Sequence, residues 1–271
     1  MKKIGFIVEM KDCPDSASLR SWAELARQQG IDGLELLFNT KVGVRFDAAL
    51  IREALAGTGV EVCACGLWWL NTIDPDPAVR AKNRETMHAF LDMAHEIGCK
   101  IAFFNCGEYR PGDTDENIRQ LRGELQHYKE YAGAYGITIA NYLGHGGNFI
   151  NSRDILRRAL EEIPELNLKL DPVGIIRNMK DDPIEIIKLF GNRLVHFHVK
   201  DILRYGSDGF EIEPAVGMGD LRWNAIFALL YHHGYEGYVV IEPHGPLFSV
   251  PENRWKHIML SKRHIEQFML R

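Results

Sequence analysis

Leu194-Val-His-Phe-His-Val-Lys-Asp201 is a stretch in which apolar and polar residues alternate before an acid ends it. Successive side chains of a strand point to opposite faces, so His196, His198 and Lys200 share one face. Burying three polar side chains on one face costs free energy unless they have partners or a ligand. The stretch therefore predicts a strand with a binding site on its polar side.

Two further apolar runs also end in an acid. They are Leu168-Lys-Leu-Asp171 and Tyr238-Val-Val-Ile-Glu242. If the three strands are neighbours in a parallel sheet, Asp171, His198 and Glu242 meet at one rim. Two carboxylates and one imidazole are suitable ligands for a divalent metal ion such as manganese, magnesium, cobalt or zinc. We therefore predict that these three residues bind one such ion.

Short apolar strands alternate with amphipathic helices along the chain. The predicted strands are residues 3–8, 33–38, 60–65, 100–105, 137–142, 167–171, 194–199 and 238–242. The predicted helices include residues 18–29, 79–97, 114–135, 152–163, 183–190, 223–233 and 252–270. Glycines at the position of left-handed helix caps precede five strands: Gly30, Gly59, Gly98, Gly136 and Gly234.

Alternating strands and helices indicate a parallel sheet, and eight such pairs indicate a closed barrel. We predict one α/β domain over residues 1–271, a single (β/α)8 TIM barrel. An open, doubly wound sheet is the alternative. The turn after the first strand, residues 9–16, lacks the Gly-x-Gly-x-x-Gly pattern of nucleotide-binding sheets of that kind.

Composition narrows the classes of function. With 271 residues, 46% of them hydrophobic and 25% charged, the chain has the make-up of an ordinary globular protein. The net charge of -5, without a basic cluster, argues against a nucleic-acid partner. No apolar run approaches the ~20 residues of a membrane span. Five cysteines, an odd number without a Cys-x-x-Cys pair, predict a reducing cytoplasm.

Four segments together resemble the xylose isomerase-like barrel superfamily. They are Leu168-Lys-Leu-Asp-Pro172, Val195-His-Phe-His-Val-Lys-Asp201, Pro214-Ala-Val-Gly-Met-Gly-Asp-Leu-Arg-Trp223 and Gly234-Tyr-Glu-Gly-Tyr-Val-Val-Ile-Glu-Pro243. The superfamily includes sugar isomerases, ketose 3-epimerases, inosose-processing enzymes and apurinic-site endonucleases. The resemblance implies one metal ion held by Glu, Asp, His and Glu from the last four strands.

Asp171, His198 and Glu242 match three of those four positions. On the fifth strand, Asn141 or Tyr142 stands where the family has its first glutamate. The family also often has a histidine three residues after the aspartate, where this chain has Gly174. The endonucleases need that histidine for further metal ions, so DNA repair is disfavoured.

The resemblance implies that a keto sugar or polyol chelates the metal, which stabilises the enediolate formed when a neighbouring proton leaves. Glu242 would bind metal and take that proton. His145, in a glycine-flanked loop, is the candidate for a second base because imidazole titrates near neutral pH. Lys200 would neutralise an acid or hold a substrate hydroxyl.

Candidate substrate contacts lie after or within three strands. Trp68 and Trp69 follow the third strand, where an indole can stack on a sugar ring or pack against a second subunit of a homo-oligomer. Glu35 points inward from the second strand, to reach substrate or to orient a ligand. Glu108 follows the fourth strand and is the other candidate for the missing carboxylate.

Three functions remain open on the sequence. The first is a metal-dependent isomerase or epimerase of a ketose or related keto sugar, working through an enediolate. The second is a lyase or dehydratase of a keto sugar or inosose, which needs only one base and explains the missing glutamate better. The third is a non-catalytic barrel with a degenerate metal site.

Overall fold

The computed structural model of the chain describes residues 1, 3–43, 45–108, 110, 113–206, 209–245, 248 and 250–270. Its barrel strands are β1 (Ile4–Glu9), β2 (Gly33–Asn39), β3 (Glu61–Trp68), β4 (Ile101–Asn105), β5 (Thr138–Leu143), β6 (Leu168–Leu170), β7 (Leu194–Val199) and β10 (Val239–Ile241). These strands pair in parallel and close in the order β1, β10, β7, β6, β5, β4, β3, β2. The predicted (β/α)8 TIM barrel is confirmed.

In the described residues the helices are α1 (Ser16–Gln28), α2 (Ala48–Leu55), α3 (Pro77–Glu96), α4 (Thr114–Gly133), α5 (Arg153–Glu162), α6 (Pro172–Gly174), α7 (Pro183–Phe190), α8 (Trp223–His232) and α9 (Pro251–Glu266). A π-helical turn, Ile175–Met179, follows α6. Side chains of Asp15, Asp76 and Asp182 cap their helices. None of the helices in the described ranges combines the length and the apolar character that crossing a membrane requires.

The strands are buried on both sides. Their outer faces pack on the helices through residues such as Phe6, Leu34 and Phe104. The barrel interior holds a smaller apolar cluster of Ile7, Leu37, Cys63, Ala64, Phe103, Ala140, Tyr142 and Val240. The rest of the interior is polar, and this polar part leads to the carboxyl ends of the strands.

Besides α6 and the π-helical turn, two larger elements were not predicted from the sequence. The first is α2, a helix of eight residues whose start is capped by Asp47, which accepts a hydrogen bond from the backbone N–H of Leu50 at 2.8 Å. The second is an antiparallel hairpin of β8 (Leu203–Tyr205) and β9 (Phe210–Ile212) after β7. The hairpin lies outside the barrel and exposes its apolar side chains, so its sequence lacks the pattern of a buried strand.

Two glycines pack against each other behind the rim. A Cβ atom on Gly174 would lie 2.6 Å from the carbonyl oxygen of Gly144, and a Cβ on Gly144 would lie 2.4 Å from the carbonyl carbon of Gly174. Gly144 also has a φ of +78°, which side chains rarely adopt. The backbone contact leaves no room for the histidine that the family often has at the position of Gly174.

We expect Gly174→Ala to lower the free energy of unfolding by about 1–3 kcal/mol or more, because the added methyl meets backbone that cannot rotate away. Gly123→Ala is the matched control, since Gly123 lies inside α4 with no atom within 4 Å of an added Cβ. That change should raise stability by about 0.5–1 kcal/mol. Urea unfolding of both variants measures the difference. Equal effects of the two changes would contradict the close backbone contact.

Candidate active site at the carboxyl end of the barrel

Three neighbouring strands bring the predicted metal ligands to the carboxyl end of the barrel, where the active sites of this fold are built. Asp171 directly follows β6, His198 lies in β7 and Glu242 directly follows β10. Strand β7 pairs with both β6 and β10, and Val240 is the register partner of His198. The three side chains are buried, with exposed fractions of 1%, 0% and 3% for Asp171, His198 and Glu242.

Of the three predicted metal ligands, Glu242 has the largest number of ionisable side chains around it. Its Oε2 lies 2.6 Å from Nδ1 of His198, and its Oε1 lies 3.3 Å from Nζ of Lys200 and 3.1 Å from Nε2 of His244. Burial alone would raise the pKa of Glu242, but Lys200 and His198 hold that pKa well below its ordinary value. The carboxylate is therefore ionised at neutral pH, the state that a base requires.

Lys200 lies between three carboxylates. Its Nζ is 3.3 Å from Glu242 Oε1, 3.7 Å from Asp171 Oδ2 and 3.1 Å from Glu213 Oε2. Burial would lower the pKa of Lys200, but Glu242, Asp171 and Glu213 raise it above its ordinary value. Asp171 and Glu242 thus both face one position that holds a cation, and Glu213 is the third partner of the ammonium group.

Asp171 ends β6 and begins α6. Its Oδ1 accepts a hydrogen bond from the backbone N–H of Val173 at 2.9 Å, and its Oδ2 accepts one from the hydroxyl of Tyr142 at 3.1 Å. Tyr142, rather than Asn141, therefore reaches the site from β5. Burial and the carboxylate of Asp171 raise the pKa of Tyr142 well above its ordinary value. The hydroxyl is a neutral donor where the family glutamate would be charged.

Glu35 lies deeper in the barrel and holds two histidines. Its Oε2 is 2.5 Å from Nε2 of His196 and 2.9 Å from Nε2 of His198. Burial would raise the pKa of Glu35, but His198 and His196 lower it to about 2. Burial also lowers the pKa of His198, yet Glu35 and Glu242 outweigh it and the pKa is raised. His196 is fully buried, and Glu35 holds its Nε2.

Two groups of side chains are candidates for binding a metal ion. Ligand atoms of Glu35, His196 and His198 lie within 4.8 Å of one another. However, the Glu35–histidine distances of 2.5 and 2.9 Å are those of hydrogen bonds, and an ion with bonds of about 2.0–2.2 Å needs its ligands further apart. Glu35 instead fixes the Nε2 side of His198 and leaves Nδ1 directed at the rim, as carboxylates do behind metal-binding histidines.

At the rim, the donor set of Asp171, His198 Nδ1 and Glu242 has the chemistry that a divalent ion prefers, but Nδ1 and Glu242 Oε2 lie at the hydrogen-bond distance of 2.6 Å and would have to separate to share an ion. The set offers two carboxylates and one imidazole, and the ammonium of Lys200 shows that both carboxylates converge on a cation. At the fourth ligand position, where the family has a glutamate, the neutral hydroxyl of Tyr142 brings no charge. The assignment of these three residues as metal ligands stays a prediction.

Lys169 was not singled out from the sequence. It is fully buried inside the barrel, with Nζ 3.3 Å from the ring centroid of Tyr142 and without a hydrogen-bond partner among the described residues. Burial lowers the pKa of Lys169 to about 8, against the opposing effects of Glu242 and Asp171. A lysine in the middle of the apolar run before Asp171 was the signal that could have found it.

The predicted loop residues lie together over the mouth of the barrel. The ring of His145 packs at 5.5 Å from Trp68, 4.9 Å from Trp69 and 5.4 Å from Tyr142. Burial lowers the pKa of His145, so the imidazole is neutral at pH 7. Trp69 is 38% exposed, with Nζ of Lys41 3.5 Å from its ring centroid. The roles predicted for His145, Trp68 and Trp69 stay predictions.

Glu35 and Glu108 differ in their access to substrate. Glu35 is fully buried beneath His198, whereas Glu108 is an exposed loop residue whose backbone N–H donates to Asn71 Oδ1 at 3.1 Å. The geometry favours the orienting role for Glu35. The substrate-binding roles predicted for both residues stay predictions.

Asp201 joins the end of β7 to the segment 214–223. Its carboxylate is fully buried and accepts five hydrogen bonds of 2.9 to 3.3 Å, from the backbone N–H groups of Ile202, Gly217, Gly219 and Leu221 and from Nε1 of Trp223. A side chain on Gly219 would collide with this carboxylate. The acid that ends the stretch therefore holds a loop in place beside Lys200.

Comparisons with known proteins agree with the barrel fold. The family profile described as "Xylose isomerase-like TIM barrel" matches residues 23–261. An inosose dehydratase of Clostridium beijerinckii is 21% identical, over 94% of this chain and 92% of that protein. The structure of D-allulose 3-epimerase from Methylomonas sp. in complex with D-allulose aligns with a TM-score of 0.76, at 19% identity and with 99% and 98% of the two chains covered. The structure of IOLI protein with a binding zinc atom aligns with a TM-score of 0.72, at 16% identity and with 98% and 97% covered.

Proposed function

The chain belongs to the xylose isomerase-like TIM barrel family, and on this basis we propose that it is an enzyme acting on keto sugars or inososes. In this proposal Glu242 removes a proton from the carbon next to the ketone. The observation that carries the proposal is the environment of Glu242: a buried carboxylate at the carboxyl end of the barrel, kept ionised by Lys200 and His198.

The described side chains account for the charges that develop. The C–H proton passes to Glu242, and the electron pair moves to the ketone oxygen to form an enolate. Lys200 stays protonated and can donate a hydrogen bond to that oxygen. A divalent ion held by Asp171, His198 and Glu242 would polarise the ketone.

Loss of water from the enolate is the outcome that the geometry favours. Tyr142 stays protonated and cannot take up a proton as a second carboxylate would. When the hydroxyl on the next carbon leaves, it takes the proton that Glu242 carries and departs as water, and the product is an unsaturated ketone. Glu242 then acts first as the base that removes the proton and afterwards as the acid that protonates the leaving hydroxyl. The relative named inosose dehydratase, similar along nearly the whole chain, supports this choice.

Isomerisation or epimerisation is the second candidate, and the position of His145 supports it. Its neutral imidazole lies beside Tyr142, on the loop after β5, and can exchange a proton with an enediolate. Structural similarity to a D-allulose 3-epimerase is in keeping with this candidate.

The test is to incubate the protein in D2O with a panel of inososes and ketohexoses, after chelation and again with added manganese or cobalt. Dehydration gives a product lighter by one water, and isomerisation gives a product of unchanged composition that carries solvent deuterium. Calorimetry of metal binding to Asp171→Ala and His198→Ala variants supplies a measurement independent of turnover. If no substrate loses water or gains deuterium under any condition, the proposal fails and a non-catalytic barrel becomes the better description.

A further inference from the structure

A second space adjoins the site, between the loop after β9 and helix α9. Its volume is about 610 Å³. We name it the side cavity and define it by six of its lining residues: Ile212, Ala215, Met218, Phe248, His257 and Leu260. Cavities that bind drug-sized ligands span about 300–1,000 Å³. The space beside Glu242 and Trp68 at the barrel mouth measures only about 20 Å³.

The side cavity is continuous with the candidate catalytic residues. Glu213 and His244 line it, and both also contact the site: Glu213 Oε2 is 3.1 Å from Nζ of Lys200, and His244 Nε2 is 3.1 Å from Oε1 of Glu242. A group bound in the side cavity would therefore be separated from Glu242 by one side chain. A surface that only docks another protein does not require this connection.

Most of the wall of the side cavity between the β8–β9 hairpin and α9 is apolar. Met218 and Leu260 are 62% and 48% exposed, although both are apolar. The ring centroids of Phe248 and His257 lie 4.3 Å apart. Burial lowers the pKa of His257 to about 4, so this imidazole is neutral at pH 7. The hydroxyls of a sugar would find few partners here, whereas an apolar ring would lose none.

Four charged residues line the side cavity, and three of them, Arg177, Glu211 and Glu213, are paired with one another, whereas Lys256 is exposed on α9. Arg177 forms ion pairs with both Glu211 and Glu213. Its guanidinium is therefore neutralised and does not call for a phosphate or carboxylate on the ligand. An uncharged occupant is in keeping with this pairing.

We propose that the side cavity binds an apolar, ring-containing group attached to the sugar, so that the substrate is a conjugated keto sugar rather than a free one. This inference rests on the proposed function, because it takes the sugar ring to lie at Glu242. The apolar group then extends past His244 into the space between Phe248, Met218 and Leu260.

The experiment compares two stable ligands by isothermal titration calorimetry, methyl β-D-glucopyranoside and phenyl β-D-glucopyranoside. They share the sugar ring and differ in the apolar group. We expect the phenyl glycoside to bind about 10-fold to 100-fold more tightly, since burying a phenyl ring is favourable by that factor. Equal affinities, or no measurable binding of either ligand, would overturn the inference.

Three substitutions locate the binding. Leu260→Asp and Met218→Asp each place a charge on the wall of the side cavity at an exposed position, and should remove most of the preference for the phenyl glycoside. Leu189→Asp is the matched control, because Leu189 is 43% exposed on α7 and does not line the cavity. A preference that survives both cavity variants would contradict the assignment.

Light scattering on the same proteins tests the competing occupant. If Leu260→Asp turned an oligomer into a monomer and the two glycosides bound the parent protein equally, a second copy of the chain would be the occupant and the inference would fail. Failure of the proposed function is distinguishable, because deuterium exchange into unsubstituted inososes does not depend on the side cavity.

Discussion

Glu242→Gln is expected to lower turnover by about 10²–10⁴-fold, the range that a positioned general base contributes. Glutamine keeps the size of the side chain and its carbonyl oxygen, but cannot accept the proton. Lys200 retains Asp171 and Glu213 as partners, so the fold should persist. Glu236→Gln, at an exposed position before β10, is the control. Rates of deuterium incorporation and circular dichroism of both variants are the measurements.

Loss of turnover alone would not separate proton removal from metal binding at Glu242. Metal affinity of Glu242→Gln, measured by calorimetry, makes the distinction. Deuterium exchange that falls much more than metal occupancy supports the role as a base. An exchange rate within a few-fold of the parent protein would rule out Glu242 as the base and direct attention to His145.

Asp201→Ala should have the largest effect on stability, a loss of about 3–5 kcal/mol. The change leaves five donors without their acceptor, two of them buried and three part-buried, and each unsatisfied buried donor costs about 1–3 kcal/mol before the loop relaxes. Asp220→Ala is the matched control. Asp220 is exposed and accepts one hydrogen bond, from the backbone N–H of Arg204 at 2.9 Å, so its loss should cost about 1 kcal/mol or less.

Urea unfolding curves of the two aspartate variants provide the comparison. If both variants lost the same small amount, Asp201 would not be the anchor of the 214–223 loop. The Asp201 variant should also bind substrate less well.

Asp201 directly follows Lys200 and holds the 214–223 loop beside the site. We therefore expect Asp201→Ala to raise KM, whereas Asp220→Ala should leave KM unchanged.

The barrel was predictable because its signals are local. Gly30, Gly98 and Gly136 adopt positive φ after their helices, as the cap pattern predicts. A buried parallel strand is likewise an apolar run in the sequence, whichever strands lie beside it. The convergence of Asp171, His198 and Glu242 on one end of the barrel was predictable for a related reason. Residues at the carboxyl ends of adjacent parallel strands must lie close together.

The rest depends on contacts that no local pattern encodes. Glu213 follows an exposed hairpin, and its approach to Lys200 is set by how that hairpin folds back over the barrel. Lys169 stands out as a lysine in an apolar run, but its strand has only three residues, too short for alternation to show which way the side chain points. The close contact of Gly144 with Gly174 joins the loop after β5 to α6, 30 positions apart in the sequence, and only the folded backbone shows why neither position carries a side chain.

Most of the wall of the side cavity comes from chain segments other than those that carry the chemistry. Asp171, His198 and Glu242 belong to the barrel strands or follow them directly, whereas the cavity is built largely by the β8–β9 appendage, its following loop and the final helix, with His244 and Phe248 from the segment after β10. Mutations in those peripheral segments can therefore alter which compounds are accepted while the reacting groups keep their places. An engineer who wants a new specificity from this scaffold should randomise positions 212, 215, 218 and 260 and leave the barrel strands unchanged.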